Sequence, residues 1–114
     1  ATNYDLGTAY FGMGLADDAI KAFVSASTDP VWRARAMIML GNVKRQAGDV
    51  DGAIEAYQEA ADSATSPDER SEASYELGAT LESRGDTSAA LAAFEEVAAG
   101  FRDRDERITT LKGS

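Results

Sequence analysis

The sequence predicts an all-α protein, a right-handed α-solenoid of three helix–turn–helix units followed by a C-terminal capping helix. Three observations predict it. The pairs Leu6-Gly7, Leu40-Gly41 and Leu77-Gly78 recur at spacings of 34 and 37 residues. Three further columns keep the same register: Gly14, Gly48 and Gly85; Ala19, Ala53 and Ala90; Phe23, Tyr57 and Phe94. Within a unit, apolar residues run at helical spacing, stop at a glycine and resume, which is the pattern of two short helices.

In the first unit Leu6, Tyr10 and Met13 define a helix over 2–13. Gly14 ends it, and Ile20, Phe23 and Val24 carry a second helix over 16–27, with Asp17 and Asp18 as the first-turn acids that a helix dipole favours. The mid-helix Gly7 costs about 1 kcal/mol against alanine, so its recurrence argues for close helix approach, with a small residue such as Ala19 opposite. Asp29-Pro30 offers an N-cap oxygen and a proline at the first helical position, which predicts a helix over 30–46. Asp49-Val50-Asp51-Gly52 resembles the start of a calcium loop, but Ala53 stands at the third ligand position and the glycine comes too early. It is read as the turn before a helix over 50–63.

Ser66-Pro67-Asp68-Glu69 is a capping box and opens a helix over 67–84. The three extra residues of the longer spacing fall near 65–70, where they lengthen a loop or the following helix without moving the core. A sixth helix is expected over 87–99. The seventh, over 104–112, alternates acids and arginines around Ile108 and Leu111, as suits a solvating cap. The units run over about 1–33, 34–67 and 71–104, within one domain of 1–114. A start at Ala1 without methionine and an end in Lys112-Gly113-Ser114 suit a processed chain or a segment of a longer one.

Composition narrows the chemistry. Histidine and cysteine are both absent, which removes the usual general bases, metal ligands and thiol nucleophiles. The glycines Gly7, Gly12 and Gly14 lead into no phosphate-loop pattern. No catalytic residue, metal site or cofactor is expected, and the chain is not read as an enzyme. The net charge of −9 disfavours nucleic acid and anionic lipid. Charge is unevenly placed, +1 over residues 1–47 and −10 over 48–114. No apolar run approaches a membrane span and no basic-then-apolar leader is present, so no membrane insertion is expected. A cytoplasmic location is the expectation, with the periplasm left open.

The pattern resembles the tetratricopeptide repeat. Leu6-Gly7, Tyr10, Ala19, Phe23 and Pro30 match in the first unit, Leu40-Gly41, Ala53, Tyr57 and Pro67 in the second, and Leu77-Gly78, Ala90 and Phe94 in the third. Lys44 and Leu81 replace the first-helix aromatic, and the final proline is missing. The wording of residues 4–20 is similar to that of bacterial scaffold proteins of the family.

The resemblance implies a protein-binding groove lined by the first helix of each unit. Its residues would be Tyr4, Asp5, Thr8 and Phe11; Arg35, Ile38, Met39, Asn42 and Arg45; and Glu72, Tyr75, Glu76, Ala79 and Glu82. Tyr4, Ile38 and Tyr75 fall at equivalent offsets and form an apolar stripe, although Ile38 and Met39 equally suit a closed core. Arg35 and Arg45 against Glu72, Glu76 and Glu82 either neutralise one another or guide a partner of opposite polarity. Family members that grip a terminal carboxylate present lysines, asparagines and an arginine where this chain has Tyr4, Thr8, Met39, Glu72 and Glu76, so a carboxylate clamp is not expected. Trp32 is read as an anchor between units. The expected function is that of a scaffold module holding a protein or peptide in the groove. The alternative is a spacer or self-association segment of a larger protein. The uncapped flank of the first helix, including Tyr10 or Phe11, would dock an upstream unit, a second copy forming a homo-oligomer, or the partner, or else is only the mark of a truncation.

Overall fold

The computed structural model describes residues 2–113, with the side chain of Thr2 outside the description as well as Ala1 and Ser114. Seven helices follow one another among the described residues: α1 (Thr2–Gly12), α2 (Ala16–Ala26), α3 (Arg33–Gln46), α4 (Val50–Ser63), α5 (Pro67–Ser83), α6 (Thr87–Glu95) and α7 (Arg104–Lys112). Each packs mainly on its neighbours in sequence, and α1 also meets α3 and α3 meets α5, so the first helices form one row.

The turn glycines make the helix pairs. Gly14, Gly48 and Gly85 all have positive φ, between 76° and 90°, which an L side chain adopts only under strain. In each turn the following N–H reaches back to a carbonyl five residues earlier: Leu15 to Tyr10 (2.9 Å), Asp49 to Lys44 (2.8 Å) and Asp86 to Leu81 (3.0 Å). This is the Schellman closure, repeated three times. The next helices differ in their caps. Asp49 accepts from the Gly52 N–H and Asp86 from the Ala89 N–H, whereas α2 begins at Leu15 with no side-chain cap.

The Leu-Gly column is where the two helices of a pair touch. A Cβ on Gly7 would fall 2.6 Å from the ring of Phe23, and one on Gly41 2.5 Å from the ring of Tyr57. The residue opposite the glycine is thus the aromatic of the second helix, not Ala19. The alanine is fully buried beside it.

Two element boundaries differ from the expectation by more than one residue. Asp29 does not cap α3: its carboxylate accepts from the Val31 N–H (3.0 Å) and its carbonyl from the Trp32 N–H (3.0 Å), so 29–32 is a turn and the helix starts at Arg33. α6 stops at Glu95 because the Val97 N–H turns back to Phe94 and the Ala98 N–H is taken by Ser71 Oγ at 3.0 Å. The three extra residues lengthen helices rather than a loop. α5 has 17 residues against 14 in α3, and α4 has 14 against 11 in α2.

The core comprises three clusters strung along the molecule. Phe23, Ala19, Leu40 and Val43 join the first two units; Ile38, Tyr57, Ala60 and Leu77 join the second and third; Tyr75, Phe94, Val97 and Leu111 join the third to α7. Met37 packs against the first and second clusters, and Leu81 against the second and third. Leu111 follows Leu77 by 34 residues and is 7% exposed, so α7 docks as the first helix of a further unit would.

Candidate functional site

The first helices carry two cavities. One, of about 410 Å³, lies across α1, α3 and the start of α5, lined by Tyr4, Arg35, Ile38, Met39, Ser66, Asp68, Glu69 and Glu72. The other, of about 450 Å³, is lined by Phe11, Asn42, Arg45, Gln46, Tyr57 and Glu76. Nine of the fourteen residues selected from the sequence line one or other of them.

Each cavity owes its walls to local structure. In the first, Ile38 is buried in the core and forms the floor, while Met39 and Tyr4 are half-buried at its sides. The Tyr4 ring stands edge-on to Phe23 (5.7 Å between centroids) and tilted against Trp32 (5.1 Å), which fixes it at the junction of the first and second units. Burial, opposed by the positive Arg35, pushes the Tyr4 phenol above its ordinary range. The acidic wall is set by the cap of α5. The Ser66 hydroxyl accepts from the Glu69 N–H, and the Thr65 N–H and hydroxyl both donate to Glu69 Oε1 at 2.9 Å. The Thr65 N–H bond, more than the Arg35 guanidinium 3.3 Å away, holds the Glu69 carboxyl below its usual range.

In the second cavity the polar groups are largely committed to each other. The Tyr57 hydroxyl donates to Asn42 Oδ1, and burial together with the Glu76 charge pushes this phenol up to about 12. Arg45 reaches Thr80 Oγ1 at 3.0 Å and Glu76 at 3.7 Å. Glu76 also meets Arg102 at 3.3 Å, so two guanidiniums bracket one carboxylate.

Thr8 lies on the exposed side of α1 and donates its hydroxyl to the Tyr4 carbonyl. Asp5 is exposed one residue beyond Tyr4. Tyr75, Ala79 and Glu82 do not open onto either cavity. Tyr75 is 8% exposed, packed on Phe94 and Phe101, with its hydroxyl donated to Asp103 and the guanidiniums of Arg102 and Arg107 over its ring at 4.9 and 5.5 Å. Burial and the Asp103 bond push the Tyr75 phenol up, and the same bond holds the Asp103 carboxyl down. Ala79 packs into that cluster, and Glu82 is held by Arg107 at 2.9 Å. The stripe of Tyr4, Ile38 and Tyr75 is therefore a seam between units. Each member faces the element that follows; Tyr4 and Ile38 also keep a face toward the first cavity, and Tyr75 does not. The sequence reading missed Ser66, Asp68 and Glu69, although the capping box and the longer α5 place these residues one turn ahead of Glu72.

The family model for the tetratricopeptide repeat matches residues 4–68 and 38–105, in two overlapping passes. The chain belongs to the tetratricopeptide repeat family. Members are in general protein-interaction scaffolds rather than enzymes. Among curated proteins none matches the sequence. Solved structures do: two crystal structures of MamA, each 28% identical over 98% of this chain, with TM-scores of 0.77 and 0.76. The tetratricopeptide chain spans 66% and 61% of those two MamA chains. The Yersinia enterocolitica type III secretion chaperone SycD, in complex with a peptide of the translocator YopD, has the same fold at 19% identity and a TM-score of 0.76, covering 97% of this chain and 90% of that one. Among the described residues no helix is long and apolar enough to cross a membrane.

Proposed function

We propose that this tetratricopeptide domain is a scaffold module that holds a segment of another protein, extended or helical, along α1, α3 and α5, and catalyses nothing. The pair of cavities on one row of helices carries the reading. They present Tyr4, Met39 and Phe11 as half-buried apolar contacts beside Asn42, Arg45 and Glu72, a mixture of adaptable apolar surface and orienting polar groups. The YopD peptide bound by SycD supports a peptide ligand on this fold. The closure of the third unit by α7 shortens the available row, so the bound segment would contact α1, α3 and the first half of α5.

Arg45, Glu76 and Glu82 are already paired within the chain, and that observation favours a second reading, a spacer of a larger protein with no ligand of its own. One experiment separates the two. Peptides selected from a displayed random dodecamer library would be titrated against the wild-type chain and against Tyr4→Ala, Met39→Ala and Arg45→Ala, with circular dichroism checking the fold. Groove binding predicts roughly tenfold or greater weakening in at least one variant and amide shifts confined to α1, α3 and α5. Absence of any selectable peptide, or shifts confined to α2, α4 and α6, would favour the spacer.

A further inference from the structure

Leucine of the Leu-Gly column is covered by the second helix of the unit before it. Leu40, 4% exposed, sits in one cluster with Ala19 and Phe23 of α2; Leu77, 6% exposed, in one with Ala60, Ala61 and Tyr57 of α4; Leu111, 7% exposed, in one with Ala90 and Phe94 of α6. Leu6 occupies the same column and is 42% exposed. It is not alone. Just past the end of α1, six residues after Gly7, Met13 stands where the other units have Ala47 and Arg84, and it is 61% exposed. Leu15, also largely exposed, stands where they have the capping aspartates Asp49 and Asp86. The first unit thus spends a helix cap on an apolar side chain, and Leu6, Tyr10 and Met13 recur along one side of α1 at helical spacing.

We propose that this flank of α1 docks the second helix of a further helix pair of the same repeat, stacked in register on the N-terminal side. The chemistry required is on display three times in the molecule: a helix with alanines and one aromatic facing a leucine. A second copy of this chain does not supply it. Its far end is α7, a lone first helix with Asp105 and Glu106 exposed in its first turn, and a two-fold pairing would set leucine stripe on leucine stripe with no small-residue helix between.

The test is a chain with a tandem copy of residues 1–34 fused ahead of the full sequence, so that the added leucine lies 34 residues before Leu6 and the added Phe23 and Ala19 can cover it. Hydrogen exchange of the α1 amides around Leu6 is expected to slow by roughly three- to tenfold relative to the unextended chain, the share of one leucine's burial that its exposed part still has to gain. Leu6→Ala should remove most of that gain in the extended chain and change exchange little in the unextended one. Unchanged α1 exchange in the extended chain overturns the proposal. So does sedimentation of the unextended chain as a dimer that Leu6→Glu converts to monomer, which would assign the flank to a second copy.

Discussion

The ring of Tyr57 lies against Gly41 so closely that a Cβ there would sit 2.5 Å from Cε1 and 2.7 Å from Cδ1. No side chain fits between them. Gly41→Ala must displace a fully buried ring whose hydroxyl is already bonded to Asn42, and it is expected to destabilise the fold by about 1–3 kcal/mol in urea denaturation. Gly78→Ala should cost less, since the nearest atoms of Phe94 stand at 3.0 Å. Gly12, with open space at its Cβ position, is the control: alanine there should be neutral or stabilising by up to ~1 kcal/mol.

Leu15→Asp restores the cap that α4 and α6 possess. In the chain as it stands the substitution should stabilise by about 0.5–2 kcal/mol, read as a higher thermal midpoint.

Tyr57 makes stability fall in alkali. Its folded pKa is raised from 10.0 to about 12, so the unfolded chain releases the proton first as pH rises. The contribution is fully present below pH 10.0 and disappears between there and about 12. Tyr57→Phe should flatten this part of the curve of urea midpoint against pH.

Glu69 acts at the other end of the scale. Its carboxyl is held below the ordinary 4.5, first by the Thr65 N–H, so it stabilises the folded chain above that value and the contribution is lost as pH falls through the lowered pKa. Glu69→Gln should reduce the acid sensitivity of the α5 N-terminus, measured by exchange of the Thr65 amide.

Tyr75→Phe removes the hydroxyl that Asp103 accepts. The expected result is faster exchange in α7 with little change in α1 to α4, because the lost bond ties only the third unit to the last helix.

The repeat was legible because glycine is irreplaceable at two of its columns, once for positive φ and once for contact with a ring. Periodicity along one helix names the face it buries, but it does not say which side chain of the partner helix will meet that face. Ala19 was therefore expected opposite Gly7 where Phe23 stands. The Asp29-Pro30 signal pointed to a cap, yet the same carboxylate serves equally well in a turn, and the turn it closes leaves Trp32 packed against Tyr4. Tyr75 matched Tyr4 in register and differs in exposure, since what covers it comes from Phe101 and α7, beyond the reach of a pattern of three units. The acids Asp68 and Glu69 were visible as a cap, and their position on the wall of a cavity follows only from how far α5 extends.

Met37 and Leu81 are the side chains shared between adjacent clusters, one at each junction. Each touches the clusters on both sides of its junction, so a change of tilt between neighbouring units repacks that one side chain on two faces at once.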